Sequence, residues 1–204
     1  MAPEPFEVYG VEDYLKKIQG AFVVIEQTER ERIIVDITAE EAGKVQGVPP
    51  DDSELVSTVA NLVEYPSAVC GGFDEKFLAL PDPVLITAMR EHQKYFAVYD
   101  REGRLLPNFV AVNNTITRDP SIVRKGHERV LRARLSDAAF FMEEDRKQPL
   151  IDRLEDLKRV IYQADLGTSF AKVQRFENLS REVAEIVLPG ELENVGLAAR
   201  LCKC

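Results

Sequence analysis

Nowhere in this chain is there an apolar run long enough to cross a bilayer, and the N-terminus lacks the basic start and apolar core of a secretory signal. Histidine is almost missing. Only His92 and His127 occur, with no His-Glu-x-x-His spacing, which sets aside a protein-bound catalytic zinc. Cysteine is nearly as rare: Cys70 stands alone, and Cys202 and Cys204 form a Cys-x-Cys where the chain stops. That is no framework for a secreted disulfide scaffold, and half a metal site is a poorer reading than two ordinary residues of an interrupted helix. Internal repeats and low-complexity segments are also absent. A cytoplasmic protein with no membrane partner is the simplest reading. The formal net charge of −9 opposes phosphate attraction over the chain as a whole, while leaving room for a local basic face.

What is present is the composition of an ordinary globular protein, with 45% apolar and 30% charged residues in a chain of 204. The organising stretch is Met89 to Asn114. Tyr95, Ala97 and Tyr99 alternate with Phe96 and Val98, Asp100-Arg101-Glu102-Gly103 supplies turn chemistry, and Leu105 to Val112 gives a second strand that Pro107 limits to an edge or a strand start. Ahead of this hairpin, helical spacing runs from Val11 to Ile18, and Ala21 to Ile25 reads as a buried strand. Thr28 with Glu31 forms a capping-box pattern opening a helix to Gly43 or Gly47, with Ile33, Ile34 and Ile37 on its apolar side. Asp52 or Ser53 caps a helix carrying Leu55, Val56, Val59, Leu62 and Val63, which Pro66 ends. A short strand or turn follows at Ala68 to Gly72. Asp82 then caps a helix over Val84 to His92, with Pro83 in its first turn. Beyond the hairpin, Asp119-Pro120 opens a long helix, with a break allowed near Gly126. From Leu150 on the pattern is helical throughout: Ile151 to Ile161, Thr168 to Val187, and Leu192 to the end. The expected fold is α+β: a mixed α/β module over residues 1–148, its central hairpin-containing sheet flanked by helices, followed by an all-helical segment over 149–204. The linker-like start Met-Ala-Pro-Glu-Pro-Phe and the end inside a helix suggest a piece of a longer protein.

Few side chains form a recognisable chemical constellation. His92, Gln93, Lys94 and Tyr95 offer groups for general acid–base work, or else simply tie a helix end to the first strand of the hairpin. Gly167 to Lys172 superficially resembles a phosphate loop, but Gly167 as a helix boundary and Thr168 as a cap account for it. The basic concentration lies between Arg118 and Arg134, where six basic side chains stand against two acidic ones for a local formal charge of +4. Within it, Lys125, Arg129 and Arg132 fall at four- and three-residue steps and share a helix face suited to a row of phosphates or an acidic partner. The bland alternative is a solvated face paired with Glu143, Glu144 and Asp145.

Three runs, Met89-Arg-Glu-His-Gln-Lys-Tyr-Phe, Gly103-Arg-Leu-Leu-Pro-Asn-Phe and Arg134-Leu-Ser-Asp-Ala-Ala-Phe-Phe, together carry a family likeness. With Asn61-Leu-Val-Glu-Tyr-Pro and Leu166-Gly167-Thr168, the chain from about Leu55 to Cys204 resembles the bacterial-type glycyl-tRNA synthetase beta subunit. The resemblance implies an alpha-two beta-two enzyme that charges tRNA with glycine using ATP and Mg. In that enzyme the alpha subunit activates glycine, while the beta chain binds tRNA and supports the assembly. It implies that residues 1–148 are similar to the editing-type region of the phenylalanyl-tRNA synthetase beta chain, and that 149–204 begin a metal-phosphohydrolase-like helical domain. The likeness supplies no catalytic, metal or cofactor-binding residue here, and no His-Asp pair supports a hydrolase. Expected partners are glycine tRNA, the alpha subunit and the remaining beta domains. Candidate tRNA or partner contacts are Arg124, Lys125, Arg129, Arg132 and Arg134. A deacylase pocket near His92 and a purely structural module remain the alternatives. Because glycine is the smallest amino acid, an entry pocket excludes larger ones by size, which lowers the need for editing.

Overall fold

The computed structural model describes residues 5–204, so the first four residues of the linker-like start lie outside the described residues. The chain divides into two compact units, one up to residue 140 and one from 141 onward.

In the first unit, helices α1 (Val11–Gly20), α2 (Gln27–Gly43) and α3 (Ser53–Ala60) precede strand β1 (Ser67–Gly72). Helix α4 (Asp82–Gln93), strands β2 (Phe96–Tyr99) and β3 (Leu105–Asn113) and the long helix α5 (Pro120–Arg146) follow, the last six residues of α5 falling in the second unit. The three strands form an antiparallel sheet in the order β1-β3-β2. The period-two alternation read from sequence decides its two faces. Tyr95, Ala97, Leu105, Phe109 and Ala111 point to one side and pack with Leu85 and Met89 of α4 and Leu131 and Leu135 of α5. Phe96, Val98 and Val110 point to the other side and meet Ile34 of α2 and Leu55 and Val59 of α3. The sheet is therefore buried on both faces between two helical layers, which is what makes its strands so apolar.

Local chemistry explains the element ends. Asp52 caps α3 by accepting the Leu55 N–H at 2.9 Å, and the same carboxylate takes Nε of Arg90 at 2.6 Å, tying α3 to α4. Helix α4 stops where Lys94 adopts a left-handed conformation (φ 57°), and the Tyr95 N–H turns back to the Met89 carbonyl at 3.0 Å. In the hairpin turn, the Asp100 carboxylate accepts the N–H groups of Glu102 and Arg104, both at 2.9 Å, while Gly103 sits at φ +80°.

Several sequence readings need correction. Pro107 marks neither an edge nor a strand start, because it lies inside the central strand β3. Between the pairs Ala97↔Phe109 and Tyr99↔Leu105 the register shifts, and Pro107 falls in that irregularity, where its missing N–H breaks no ladder bond on the β2 side. Its carbonyl still accepts the Phe73 N–H at 3.0 Å. Ala21 to Ile25 is not a strand: Phe22 takes φ +63°, and the segment is held by a backbone bond from Val24 to the Glu64 carbonyl. Helix α2 starts at Gln27 with no side-chain cap, so Thr28 is already helical and the capping box does not form. Pro81 rather than Asp82 is the cap residue of α4. Helix α5 runs without a break past Gly126.

In the second unit, Ile151 to Ile161 is not an α-helix. Two short 3₁₀ turns (Leu150–Leu154 and Asp156–Lys158) lead into strand β4 (Ile161–Gln163), which pairs antiparallel with β5 (Gly167–Thr168). The β-branched pair Val160-Ile161 favours this extended path, and the Ser169 N–H closes it on the Val160 carbonyl at 2.8 Å. Helix α6 (Ser169–Val187) is capped by the Thr168 hydroxyl, which accepts the Ala171 N–H at 3.2 Å, and Gly167 at φ +82° makes the bend before it. The boundary-and-cap reading of Gly167-Thr168 therefore holds. Helix α7 (Leu192–Leu201) packs on α6 at Gly196, where an added Cβ would meet the Arg181 guanidinium at 2.3 Å. Among the described residues, no helix is long and apolar enough to cross a membrane.

Candidate functional site

Three groupings of polar side chains converge on α5. The helix opens where the Asp119 carboxylate accepts the Ser121 N–H at 2.9 Å, with Pro120 in the first position. Leu131 and Leu135 are fully buried against the sheet, and Val123 and Ala139 pack beside them. That fixes which way the remaining side chains face, since each step along the helix turns it by about 100°.

Lys125, Arg129 and Arg132 emerge beside the leucine face, on average about 100° around the helix from it, all exposed and stacked over about 10 Å of helix. None of them forms an ion pair among the described residues. Their nearest acidic influences are weak: Lys125 adds slightly to the depression of the Asp119 carboxyl by Ser121, and Arg132 to that of the Asp74 carboxyl by Lys76. Glu144 and Asp145 are engaged by Lys147 and Arg153. Arg134 is exposed but sits half a turn around from Lys125. Arg124 is also off the row, facing Glu128 at 3.9 Å.

Arg124 and Glu128 line an open cleft of about 800 Å³ along the free edge of β1, with Glu41 and Lys44 of the α2 end on its other side. Here the outward N–H of Cys70 bonds the Glu41 carboxylate at 3.0 Å, and that of Gly72 bonds Glu128 at 3.1 Å. Each carboxylate also faces a cation, Lys44 for Glu41 and Arg124 for Glu128. Two of the edge donors are thus satisfied by side chains, which blunts pairing with a foreign strand. Burial pushes the Cys70 thiol up, so it stays protonated at neutral pH.

The third grouping was not legible in the sequence. The Tyr95 hydroxyl lies 2.8 Å from Nδ1 of His127, and Nε2 of His127 lies 2.9 Å from Oδ1 of Asn113. An amide oxygen only accepts, so Nε2 carries the proton and Nδ1 accepts from the tyrosine. The Tyr95 ring stacks on Phe109 with centroids 4.8 Å apart and meets the His127 ring edge-on at 5.3 Å. Burial pushes the Tyr95 hydroxyl up to about 12 and lowers the His127 pKa, so both are neutral. The chain links the start of β2, α5 and the end of β3.

The quartet His92, Gln93, Lys94 and Tyr95 does not come together as one cluster. The His92 side chain is exposed and makes no hydrogen bond or ion pair among the described residues, Lys94 faces Glu91 at 3.8 Å, and Tyr95 turns inward to His127. No group of His, Cys, Asp and Glu that could hold a metal ion occurs among the described residues.

Comparison with known proteins gives these features a setting. Residues 1–204 match the family model described as glycyl-tRNA synthetase beta subunit. The glycine–tRNA ligase beta subunit of Syntrophotalea carbinolica is 50% identical over 204 residues, covering 100% of this chain and 30% of that protein. Those of Syntrophus aciditrophicus and Geobacter sp. strain M21 are 48% and 49% identical over 203 residues each, with 29% and 30% of their lengths covered. The chain thus spans about 30% of the length of these relatives. With every one of its residues inside the family match and half of them identical to such a relative, the chain belongs to the glycyl-tRNA synthetase beta subunit family.

Proposed function

We propose that this chain is a tRNA-contacting and assembly-supporting part of the beta subunit of a glycine–tRNA ligase. Glycine activation falls to the alpha subunit, and ATP and Mg serve the whole enzyme rather than these residues. On this reading residues 1–148 act as a module akin to the editing-type region of the phenylalanyl-tRNA synthetase beta chain, and 149–204 open a helical domain. The observation that carries the proposal is the row Lys125, Arg129 and Arg132, outward-facing and without ion-pair partners among the described residues. Such a row gains most from meeting phosphates, because no internal salt bridge has to be broken first and condensed counterions are released. Arg134 can add to it from the flank, and Arg124 only by giving up Glu128. A deacylase at His92 draws no support from the geometry around that imidazole.

The test is binding of glycine tRNA across a salt series, by the wild-type chain and by the variant Lys125→Glu, Arg129→Glu, Arg132→Glu. Losing three phosphate contacts should flatten the slope of log K against log salt by about 2 to 3. An unchanged slope and affinity in the folded variant would overturn the proposal.

A further inference from the structure

The second unit carries a surface that the α5 row does not use. Its β4–β5 ribbon faces outward, with Ile161 75% and Tyr162 49% exposed. Nζ of Lys172, on the first turn of α6, lies 3.4 Å from the centroid of the Tyr162 ring and 5.4 Å from that of Phe176. Arg175, one turn further, donates from Nη1 to the Leu166 carbonyl at 3.2 Å, which pins its guanidinium at the ribbon's loop. Lys172 above all, through a hydrogen bond and its charge, holds the Tyr162 hydroxyl below its ordinary pKa. Neither Lys172 nor Arg175 makes an ion pair among the described residues. Lys158, over the Phe170 ring at 4.9 Å, is matched by Glu155 at 2.8 Å and adds little. Asp165 in the loop is engaged by the Gln163 amide at 3.4 Å and not by a cation.

A half-exposed aromatic ring beside two cations without ion-pair partners is an arrangement suited to single-stranded nucleic acid. Lys172 covers one face of the ring, so the half-exposed ring has its other face for a base, and the cations offer charge to the flanking phosphates. A base already paired in a duplex has no face to give, so the surface discriminates for unpaired nucleotides. We propose that Tyr162, Lys172 and Arg175 form a second RNA contact in this chain, taking an unpaired nucleotide with its base against the face of the Tyr162 ring that Lys172 leaves open. The choice of RNA as partner rests on the reading above, but the residues are different and the two can fail separately.

The experiment measures binding of a labelled, unstructured oligoribonucleotide of about ten nucleotides by fluorescence anisotropy, with a duplex of the same length as comparison. Photocrosslinking from 4-thiouridine maps the contact. Tyr162→Leu, which keeps bulk and removes the π-face, should weaken binding of the single strand by about 5- to 100-fold. Tyr162→Phe should retain it, Arg175→Glu should weaken it and flatten its salt dependence, and crosslinks should fall on the peptide holding Tyr162. Wild-type affinity in a Tyr162→Leu variant that melts like the wild type would overturn the proposal. So would equal affinity for the duplex, or Tyr162-dependent binding to anionic phosphatidylserine vesicles without binding to the oligonucleotide. If the triple α5 variant loses tRNA while Tyr162→Leu does not, only this second contact is refuted; the opposite outcome refutes only the α5 row.

Discussion

The hydrogen-bonded chain Tyr95–His127–Asn113 makes a prediction whose size can be worked out. Tyr95→Phe deletes one oxygen and leaves both ring contacts in place, the stack on Phe109 and the edge of His127. What is lost is the bond to Nδ1 of His127 at 2.8 Å, and what remains is a half-buried acceptor with no partner. A deleted bond of this kind, with the acceptor left behind, costs about 1–3 kcal/mol. Urea unfolding followed by circular dichroism at pH 7.5 reads this as a lowered midpoint at constant slope, and hydrogen exchange should show the loss in peptides of β3 and α5. The same network sets a pH dependence. Because burial lowers the His127 pKa, the unfolded chain binds a proton more readily than the folded one. Stability is therefore full above the unfolded value of about 6.5 and falls as pH drops below it, by at most about 1.4 kcal/mol per pH unit, until the lowered folded value is reached. His127→Gln should remove that component, so the difference between wild type and variant isolates it from the carboxylates that titrate lower. If Tyr95→Phe leaves the midpoint unmoved, or if His127→Gln keeps the wild-type slope between pH 6.5 and 5, the network does not hold the sheet and α5 together.

Other outcomes follow from the packing. A Cβ on Gly71 would sit 2.6 Å from Cζ of Phe109, a ring already clamped by Tyr95, so Gly71→Ala should cost about 1–3 kcal/mol in urea unfolding. Phe109→Ala, at a fully buried position, should cost about 3–5 kcal/mol by the same assay. Asp52→Ala removes the α3 cap and a partner of Arg90, for about 1–2 kcal/mol at neutral pH. Since the bond from Arg90 holds the Asp52 carboxyl below its ordinary value, its contribution is full above about pH 3.9 and fades as pH falls through the lowered value, so the variant should show a shallower acid slope. In a timed alkylation followed by mass spectrometry, exposed Cys202 should react before Cys70, whose thiol burial has pushed up.

The helices and the two faces of the sheet were legible because they are written locally. Tyr95 to Tyr99 alternates, Leu55 to Val59 keeps helical spacing, and Thr168 stands where a cap belongs. The misreadings of Pro107, Val160-Ile161 and Tyr95 share a cause, which is that the deciding partner lies outside the local stretch. Pro107 is tolerated in a central strand only because β2 shifts register opposite it. Val160-Ile161 is extended because Thr168 and Ser169 close a ribbon on it. Tyr95 was grouped with His92 by adjacency, yet its hydroxyl meets His127, 32 positions away, and no local spacing signals that bond. The basic row was legible as a face. What the sequence could not show was that Arg124 leaves it for Glu128 at the β1 edge.

Helix α5 shows how a row of surface charges acquires a fixed direction. Its inner positions are Leu131 and Leu135, which would tolerate small rotations if hydrophobic burial were all that held them, because that attraction has no directional preference. Two polar contacts remove the freedom: His127 is aimed at Tyr95 and Asn113, and one residue on, Glu128 is aimed at the Gly72 N–H. They lie about 100° apart on the helix and bind different places, the residue before β2 and the end of β3 for the first and β1 for the second. A rotation that relaxes one strains the other. Lys125, Arg129 and Arg132 are therefore indexed against the sheet by groups that touch no ligand. The half-buried histidine and the edge-capping glutamate are what turn an amphipathic helix into a surface with a defined orientation.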